Sequence, residues 1–495
     1  MALPLFKARI DTQGPVAYTT LGPVKATCSL GSVSMADSIK ELRSQVGDDN
    51  VLASDEDLVC YGYDGSWLEG RPRAVVCPTS TREVSLTLAW AGRQGVAVVP
   101  RGAGTGLAGG AVPSPEAIVL SLSRMNRIME VDPANMVAVA QAGVVTADLQ
   151  AEVERRGLFY PPDPASSRQC TLGGNVATAA SGARGLKYGG TKDYVLGLEV
   201  VLSSGEVLRT GGRVIKNATG YSLTQLFLGS EGTLGVVTEV VVRLLTLPDA
   251  RGMVSAAFAR MEEATEAVIG LLLAGIVPAA VELMDQTTVS CVEEYLHGGL
   301  PTWAGALIMV EVDGDGEGVA RDLERVRGLL EERGAGDVVV ADRTGDMDAL
   351  RAARAAVGAA LGRIHPDRLG EDISVPRSAI SAMVGRISQV SSDHDLPIAL
   401  FGHIGDGNLH PVILFDRRDP GEVTRVAAAA REICVEAVKV GGTISGEHGV
   451  GLLKRDFLET ALEPGVIGLM KEIKRAFDPH NILNPGKIFP GDTSK

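Results

Sequence analysis

Two histidine-containing motifs in the carboxy-terminal half have residue types and spacing that could form a catalytic metal site. They are Phe401-Gly-His-Ile-Gly-Asp-Gly-Asn-Leu-His-Pro411 and Gly442-Thr-Ile-Ser-Gly-Glu-His-Gly-Val-Gly451. His403 and His410 are an odd number of positions apart, so on one regular strand they would face opposite ways. The Gly405-Asp-Gly407 turn could bring them together. With Glu447 they supply two imidazoles and a carboxylate, the ligand set of an open catalytic zinc site, and His448 is left free as a base. The alternative is a pair of hydrogen-bonded structural histidines in a turn.

A glycine-rich segment in the amino-terminal half, Val98 to Gly110, could bind a phosphate group. Its glycines let backbone N–H groups approach an anion that side chains would otherwise block. The alternative is a flexible glycine turn. Gly104 to Gly109 also match the dinucleotide pattern G-x-G-x-x-G, but that loop must open a helix. Pro113 and Pro115 would prevent one here.

Two further segments are rich in small residues and hydroxyls. The first, Thr171 to Gly185, follows a proline-rich stretch at Pro161 to Ala165. The second consists of Asn217 to Leu223 and Gly229 to Val237, and it ends as a strand. Such surfaces suit a flat, polar ring system and its diphosphate.

The elements that must position these residues indicate a mixed α+β chain. Apolar runs at Ala74 to Cys77 and Val96 to Val99 flank a helical pattern at Arg82 to Arg93, which predicts a β-α-β unit. Later strands are separated by glycine-rich segments rather than by uniform helices, so a doubly wound sheet is disfavoured. After Pro248 the composition changes to long Ala-, Glu- and Arg-rich stretches, so we expect a domain boundary near that residue.

Composition narrows the class of protein. Hydrophobic residues make up 45% of the chain and the formal charge is −14, which opposes binding to nucleic acid or to an anionic membrane. The six cysteines include no C-x-x-C, so neither a disulfide framework nor an iron–sulfur cluster is indicated. No run is long enough for a membrane span. We therefore expect a cytoplasmic protein, with any membrane association through a partner.

Taken in order, the three glycine-rich segments resemble the flavin-binding domain of the vanillyl-alcohol oxidase/p-cresol methylhydroxylase superfamily. The His-x-Gly-Asp-Gly-Asn-Leu-His and Gly-Glu-His-Gly motifs are similar to those of glycolate oxidase FAD subunits, D-lactate dehydrogenases and D-2-hydroxyglutarate dehydrogenases. The resemblance implies a p-cresol-methylhydroxylase (PCMH)-type FAD-binding domain of two α+β subdomains and an α+β substrate or cap domain with an antiparallel sheet. The expected divisions are a leader at 1–35, disordered or not the native start, then 36–248, 249–455, and a 456–495 segment returning to the FAD domain.

The same resemblance implies site residues. His403, His410 and Glu447 become ligands of Zn²⁺ or another divalent metal, and His448 the substrate base. Arg354 becomes the carboxylate clamp, with a solvated helix-face arginine as the alternative. Asn484 would lie beside the flavin ring or form only a turn. Because the first histidine is His297, FAD is expected to be non-covalent, although Cys or Tyr attachment is an alternative. The implied FAD residues are Pro100, Arg101, Gly102, Ala103, Gly104, Thr105, Gly106, Pro162, Thr171, Gly174, Thr178, Gly182, Glu231, Val237 and Asn484.

These expectations lead to one functional hypothesis and three alternatives. The chain would oxidise a small D-2-hydroxy acid, of the glycolate or D-lactate type, and pass electrons to an iron–sulfur subunit, a cytochrome, an electron-transfer flavoprotein or a quinone. The alternatives are a D-2-hydroxyglutarate dehydrogenase, an accessory FAD-binding subunit without its own turnover, and a flavin-free metallohydrolase.

Overall fold

The amino-terminal part of the chain forms two sheets and a short ribbon. The computed structural model describes residues 35–490, so the predicted leader lies outside the described residues apart from its last position. One sheet has the order β1-β2-β4-β3 and the other β5-β6-β10-β8-β9, while β7 pairs with β11. The strands are β1 (Val51–Leu52), β2 (Ala74–Val76), β3 (Val98–Arg101), β4 (Ile118–Ser121), β5 (Ile128–Asp132), β6 (Val137–Gln141), β7 (Leu158–Phe159), β8 (Val195–Val201), β9 (Val207–Gly211), β10 (Val236–Arg243) and β11 (Leu245–Thr246).

The carboxy-terminal part is built on one eight-stranded sheet, which we call the cap sheet. Its order is β15-β12-β14-β13-β18-β19-β16, with β17 also paired to β19, and its neighbours are antiparallel. The strands are β12 (Ala250–Phe258), β13 (Ala280–Asp285), β14 (Ala306–Gly314), β15 (Gly336–Ala341), β16 (Asp367–Gly370), β17 (Ile373–Ser374), β18 (Ile398–His403) and β19 (Asn408–Phe415).

Sixteen α-helices are present in the described part of the chain. With the sheets they confirm the predicted α+β class. They are α1 (Met35–Val46), α2 (Asp55–Cys60), α3 (Thr81–Gln94), α4 (Thr146–Glu154), α5 (Leu172–Thr178), α6 (Gly185–Tyr188), α7 (Thr191–Tyr194), α8 (Leu223–Phe227), α9 (Met261–Leu273), α10 (Gln286–Leu296), α11 (Gly316–Glu332), α12 (Thr344–Leu361), α13 (Ile380–His394), α14 (Pro420–Lys439), α15 (Leu458–Ala461) and α16 (Pro464–Phe477).

The predicted β-α-β unit is confirmed by β2, α3 and β3. Helix α3 begins where the Ser80 hydroxyl accepts a hydrogen bond from the Glu83 N–H, and it ends at Gly95, which has a left-handed conformation with φ 63°. Strands β2 and β3 are not neighbours, because β4 lies between them and runs parallel to both. The chain therefore leaves this unit at Arg101, the last residue of β3.

Alternation along β14 divides the carboxy-terminal core into two layers. Ile308 and Val310 belong to the core beneath α9, α11, α13 and α14, whereas Leu307 and Met309 face the core beneath α10 and α12. Since successive side chains of a strand point to opposite faces, both faces of this sheet are apolar and both are covered by helices. Helix α12 therefore packs on the face of the sheet that carries Leu307 and Met309.

The carboxy-terminal segment returns to the amino-terminal sheets. Leu483 forms a parallel bridge with Val98 of β3, and the Ile482 carbonyl accepts the Val98 N–H at 2.7 Å. Lys474 of α16 is buried, forms an ion pair with Asp478, and donates to the carbonyls of Thr233 and Leu483 at 2.8 Å each. One ammonium group thus joins three parts of the chain.

Lys474→Met is expected to lower the free energy of unfolding by about 3 kcal/mol, because it leaves the Asp478 carboxylate buried without its cation. The Ile482 and Leu483 N–H groups still bind that carboxylate, which keeps the cost near the lower end for broken buried pairs. Urea unfolding of the variant against Lys471→Met, a partly exposed lysine on the same helix, measures it. Equal stabilities would contradict this structural role of Lys474.

No helix among residues 35–490 is long and apolar enough to cross a bilayer.

Candidate active site

A large cavity connects the two halves of the molecule. Its volume is about 1530 Å³, which is larger than an ordinary small-molecule pocket. Glycine-rich segments within residues 100–111, 164–180 and 230–237 line it, together with α12, Glu447 and His448. The cavity therefore brings the motifs of both halves to one space.

The loop after β3 has the properties of an anion cradle. Among the described residues, the backbone N–H groups of residues 102–106 have no hydrogen-bond acceptor, and all five residues line the cavity. Gly104 has φ +73°, and a Cβ there would meet the Arg101 guanidinium. A Cβ at Gly102 would meet the Thr171 hydroxyl, which already accepts the Gly174 N–H as the N-cap of α5. A diphosphate can approach such a loop closely, because the N–H groups are unpaired and the glycines have no Cβ to block them.

A β-hairpin brings the two motif histidines to the same side. In the β18–β19 pair, Phe401 lies opposite His410 and His403 lies opposite Asn408. Phe401 and His403 are two positions apart and share a face, so His410 shares it too. The imidazole centroids are 5.3 Å apart. The odd spacing that would separate the histidines on one strand is cancelled by the turn.

Glu447 completes a potential metal-binding group with these histidines. Its Oε1 lies 3.4 Å from His403 Nε2 and 3.5 Å from His410 Nε2, and its Oε2 accepts the Gly182 N–H at 2.5 Å. The three ligand atoms lie within 4.8 Å of one another. Burial alone would raise the pKa of Glu447, but the hydrogen bond and positive charge of His403 lower it to about 2. Glu447 is therefore an ionised carboxylate.

Two further carboxylates lie beside the other nitrogens of the histidines, and one of them forms a hydrogen bond. The Nδ1–H of His403 donates to Glu282, and His410 Nδ1 lies 3.7 Å from Asp372 Oδ1. Burial opposes ionisation of Glu282, yet His403 and Arg354 lower its pKa to about 2. Both Nε2 atoms face Glu447, and the hydrogen bond from His403 Nδ1 to Glu282 is the arrangement typical of a metal-bound histidine. The donor set fits a divalent metal.

Asp372 also fixes the loop that carries Glu447 and His448. It is fully buried, and its Oδ2 accepts the backbone N–H groups of Glu447 at 2.9 Å and His448 at 2.8 Å, as well as the Ser445 hydroxyl. Burial would raise the pKa of Asp372, but His448 and Lys454 hold it well below its ordinary value. The loop position thus depends on one ionised side chain.

His448 lies where the metal-binding group meets the cavity. Its ring stacks on His410 with centroids 5.1 Å apart, and its Nδ1 is 3.9 Å from Asp372 Oδ2. Among the described residues this buried Nδ1 has no hydrogen-bond partner. Because Nδ1 is buried beside Asp372, Nε2 is the imidazole nitrogen left to accept a proton from a molecule bound in the cavity.

The structure places Arg354 away from the cavity lining. Its Nε forms an ion pair with Glu282, and its guanidinium lies 4.6 Å from the centroid of the Phe401 ring. Arg354 is thereby linked through Glu282 to His403. Arg351, one turn earlier on α12, does line the cavity and lies 3.0 Å from Glu311.

The predicted FAD residues fall into two groups. Most of them line the cavity, and three do not: Pro162, Gly182 and Asn484. Gly182 contacts Glu447 instead. Asn484 donates through Nδ2 to the Glu231 and Gly110 carbonyls, so it braces the cavity wall from behind. The lining members are Pro100, Arg101, Gly102, Ala103, Gly104, Thr105, Gly106, Thr171, Gly174, Thr178, Glu231 and Val237.

Glu231 is a buried acid that the cavity wall depends on. Its two carboxylate oxygens accept the N–H groups of Val450 at 2.7 Å and Gly451 at 2.8 Å. Burial raises its pKa above the ordinary value. Glu231 therefore ties the third glycine-rich segment to the loop that carries His448.

Several site residues were not predicted from the sequence. Glu282 accepts the Nδ1–H of His403, Asp372 lies beside His410, and the loop 164–170 contributes a cavity wall. Glu282 and Asp372 lie far in sequence from the histidine motifs, and only the strand pairing of the cap sheet brings them there.

Comparisons with known proteins identify the family. The model for "FAD linked oxidases, C-terminal domain" matches residues 247–488, and the model for "FAD binding domain" matches residues 72–211. Glycolate oxidase subunit GlcD of Bacillus subtilis is 44% identical over 92% of this chain and 98% of its own length. The chain belongs to the FAD-linked oxidase family. It is an FAD-dependent oxidoreductase, and the resemblance stated from the motifs is confirmed.

Other members of the FAD-linked oxidase family are named for different activities. A D-lactate dehydrogenase of Anaerostipes hadrus is 36% identical over 92% of this chain and 97% of its own length. A D-2-hydroxyglutarate dehydrogenase of Stutzerimonas stutzeri is 35% identical over 91% and 98%. The solved structure of p-cresol methylhydroxylase with substrate bound has a TM-score of 0.78 at 21% identity and covers 93% of this chain and 98% of that one. The predicted PCMH-type fold is confirmed.

Proposed function

We propose that this FAD-linked oxidase converts a small D-2-hydroxy acid, of the glycolate or D-lactate type, to the 2-oxo acid and passes the electrons to a separate acceptor. The observation that carries the proposal is the group His403, His410, Glu447 and His448 at the wall of the same cavity that the glycine-rich cradle lines. Bound FAD supplies the two-electron oxidation.

The chain's own residues divide the remaining tasks. His448 takes the proton of the substrate hydroxyl through its free imidazole nitrogen. His403, His410 and Glu447 hold Zn²⁺ or another divalent metal, whose Lewis acidity would make that hydroxyl a better proton donor. The loop 102–106 holds the FAD diphosphate without a covalent bond.

The substrate carboxylate has two candidate partners on α12. Arg354 is the one that the family motif indicates, and its ion pair with Glu282 keeps it beside His403. Arg351 is the one on the cavity lining. A guanidinium binds a carboxylate through two parallel hydrogen bonds. If Arg354 makes this contact, Arg354→Lys is expected to raise KM for the hydroxy acid. If Arg351 makes it, Arg351→Leu is expected to do so.

A second candidate substrate is D-2-hydroxyglutarate. Three arginines, Arg351, Arg363 and Arg368, line the cavity, and among the described residues Arg363 and Arg368 have no carboxylate partner within 4 Å. A dicarboxylate could use one of them for its second acid group.

An anaerobic titration tests the proposal. The visible spectrum of the purified, metal-supplemented chain is followed on addition of glycolate, D-lactate, L-lactate and D-2-hydroxyglutarate. Bleaching of the flavin band by one D-acid or by glycolate supports the function and names the substrate. A flavin band that none of these acids bleaches would favour an accessory FAD subunit.

Gly102→Ala is expected to weaken FAD binding about 5- to 150-fold, because forcing a methyl group against the Thr171 hydroxyl costs roughly 1–3 kcal/mol. Fluorescence titration of the apoprotein with FAD measures the Kd. Gly468→Ala is the control, since an added Cβ there meets no atom within 4 Å. Wild-type affinity in Gly102→Ala would contradict the proposal that FAD binding depends on the packing of this loop against Thr171.

A further inference from the structure

The loop that carries Glu447 and His448 is held by residues from both halves of the molecule. We call residues 445–453 the metal-site loop. On the cap side, Asp372 accepts the N–H groups of Glu447 and His448. On the opposite side, the loop is held by the glycine-rich segments of the amino-terminal part. The metal-site loop therefore lies at the junction of the two halves, and its position depends on both.

All three glycine-rich segments form hydrogen bonds with the metal-site loop. In the first segment, the Ala108 carbonyl accepts the N–H groups of residues 452 and 453, at 2.8 and 3.2 Å. In the second, the Gly182 N–H donates to Glu447 Oε2 at 2.5 Å. In the third, the two carboxylate oxygens of Glu231 accept two further N–H groups of the loop. The segments that form the cavity wall thus also fix the loop.

Glu231 makes its contact through its side chain, whereas Ala108 and Gly182 use their backbones. Its backbone has φ +50°, a left-handed conformation that residues other than glycine rarely adopt. The Glu231 N–H donates to the Ala177 carbonyl at 2.7 Å, and the Glu231 carbonyl accepts from Asn484 at 2.7 Å. Surroundings that hold a residue in such a conformation point to a functional constraint on its position.

A second cavity adjoins the metal-site loop and leaves that side of it without close packing. The cavity has a volume of about 300 Å³. Five residues of the loop line it, together with Ser181 and Glu231. Because packed neighbours are missing there, hydrogen bonds fix the loop on this side. The position of Glu447 is therefore sensitive to the contact that Glu231 makes.

The glycine-rich segments also have hydrogen-bond donors that are unused toward the large cavity. The N–H groups of residues 102–106 have no acceptor among the described residues, and these residues line the cavity together with Glu231. A bound diphosphate would supply acceptors and restrict the motion of the segments. Since the segments hold the metal-site loop, less of the loop's motion would then remain for a metal to restrict.

We propose that Glu231 is a positioning residue that couples the metal site to the FAD site, so that each ligand binds more tightly when the other is present. The inference rests on the proposed function, which assigns both ligands to the chain. Glu231 transmits the coupling because it belongs to the wall of the large cavity and holds the metal-site loop. Coupling between two binding sites is reciprocal, so both affinities change by the same factor.

The test measures this coupling factor in the full chain after removal of FAD and metal. Competition with a chromophoric chelator gives the Kd of Zn²⁺, with and without saturating FAD. Flavin fluorescence gives the Kd of FAD, with and without saturating Zn²⁺. In wild type, each ligand is expected to tighten binding of the other at least about 5-fold, the lower end of the usual range for coupled sites.

Two variants of Glu231 and one control separate coupling from a general effect on folding. Glu231→Gln is expected to lower the coupling factor to less than about 2-fold, because its NH₂ group cannot accept one of the two loop N–H groups. Glu231→Asp keeps the charge, but its shorter side chain cannot reach both N–H groups, so the same loss is expected. Glu239→Gln changes an acid of β10 outside the lining of both cavities and is expected to keep the wild-type factor.

Each other result has a defined meaning. Equal affinities with and without the second ligand in wild type overturn the coupling. A wild-type factor in Glu231→Gln and Glu231→Asp also overturns it, even if both affinities are weaker, because Glu231 then has only a structural role. If FAD-loaded wild type binds no Zn²⁺, Mn²⁺, Fe²⁺ or Co²⁺, the coupling and the metal assignment fail together. Bleaching of the flavin by a hydroxy acid decides the rest of the proposed function separately.

Discussion

His448→Ala is expected to slow reduction of bound FAD by the hydroxy acid about 10²–10⁴-fold, the usual effect of losing a general base. The reason is that the His448 ring lines the cavity with its Nδ1 buried beside Asp372, which leaves Nε2 for the substrate, while its backbone N–H, which the substitution keeps, fixes the loop through Asp372. FAD binding is expected to be unchanged. Stopped-flow absorbance of the flavin under anaerobic conditions measures the rate.

Two controls separate a catalytic role of His448 from a structural one. His480→Ala removes an exposed histidine outside the cavity lining and is expected to leave the rate unchanged. His448→Gln keeps a polar side chain in the stack on His410 and is expected to be as slow as alanine. A wild-type rate of flavin reduction in either His448 variant would remove His448 from the mechanism.

His410→Ala is expected to weaken binding of the divalent metal by at least about 10²-fold, since even residues that only orient a ligand contribute 10- to 100-fold. His410 presents its Nε2 to Glu447 and is buried beneath His448. Burial and the nearby His448 lower the pKa of His410 to about 3, so its ring is neutral and ready to bind a metal at neutral pH. Elemental analysis after dialysis measures the bound metal.

The matched control for His410→Ala is His394→Ala, which removes a histidine that pairs with Glu432 on the outside of the cap sheet. It is expected to retain one metal per chain. FAD absorbance, read on the same samples, shows whether the fold of the cofactor site survives. The metal assignment fails if wild type binds no Zn²⁺, Mn²⁺, Fe²⁺ or Co²⁺, or if His410→Ala binds as much as His394→Ala.

The cradle loop was predictable because its chemistry is local. Gly102 and Gly104 are required by contacts with Arg101 and Thr171 and by a positive φ, and the glycine pattern of the sequence carries that information directly. The family resemblance then indicated that the anion bound by this loop is the diphosphate of FAD.

The roles of Arg354 and Arg351 could not be separated from sequence. Both lie on α12 one turn apart, but the packing of that helix on the cap sheet turns Arg354 toward Glu282 and Arg351 toward the cavity. The segment Asn217 to Leu223 was grouped with the flavin segments, yet none of its described residues lines the large cavity. Its side chains are exposed.

The sequence by itself determined the kinds of groups available: a glycine-rich cradle, two imidazoles, a carboxylate and a further imidazole, in motifs specific enough to indicate the family. Tertiary structure alone decided their geometry. The β18–β19 register put His403 and His410 on one face. Glu282, 121 residues before His403, came to accept its Nδ1–H, and Asp372, 38 residues before His410, came to lie 3.7 Å from its Nδ1. Ligand identity is a property of local motifs, whereas the direction of each ring nitrogen is set by buried carboxylates that only strand pairing and loop closure bring near.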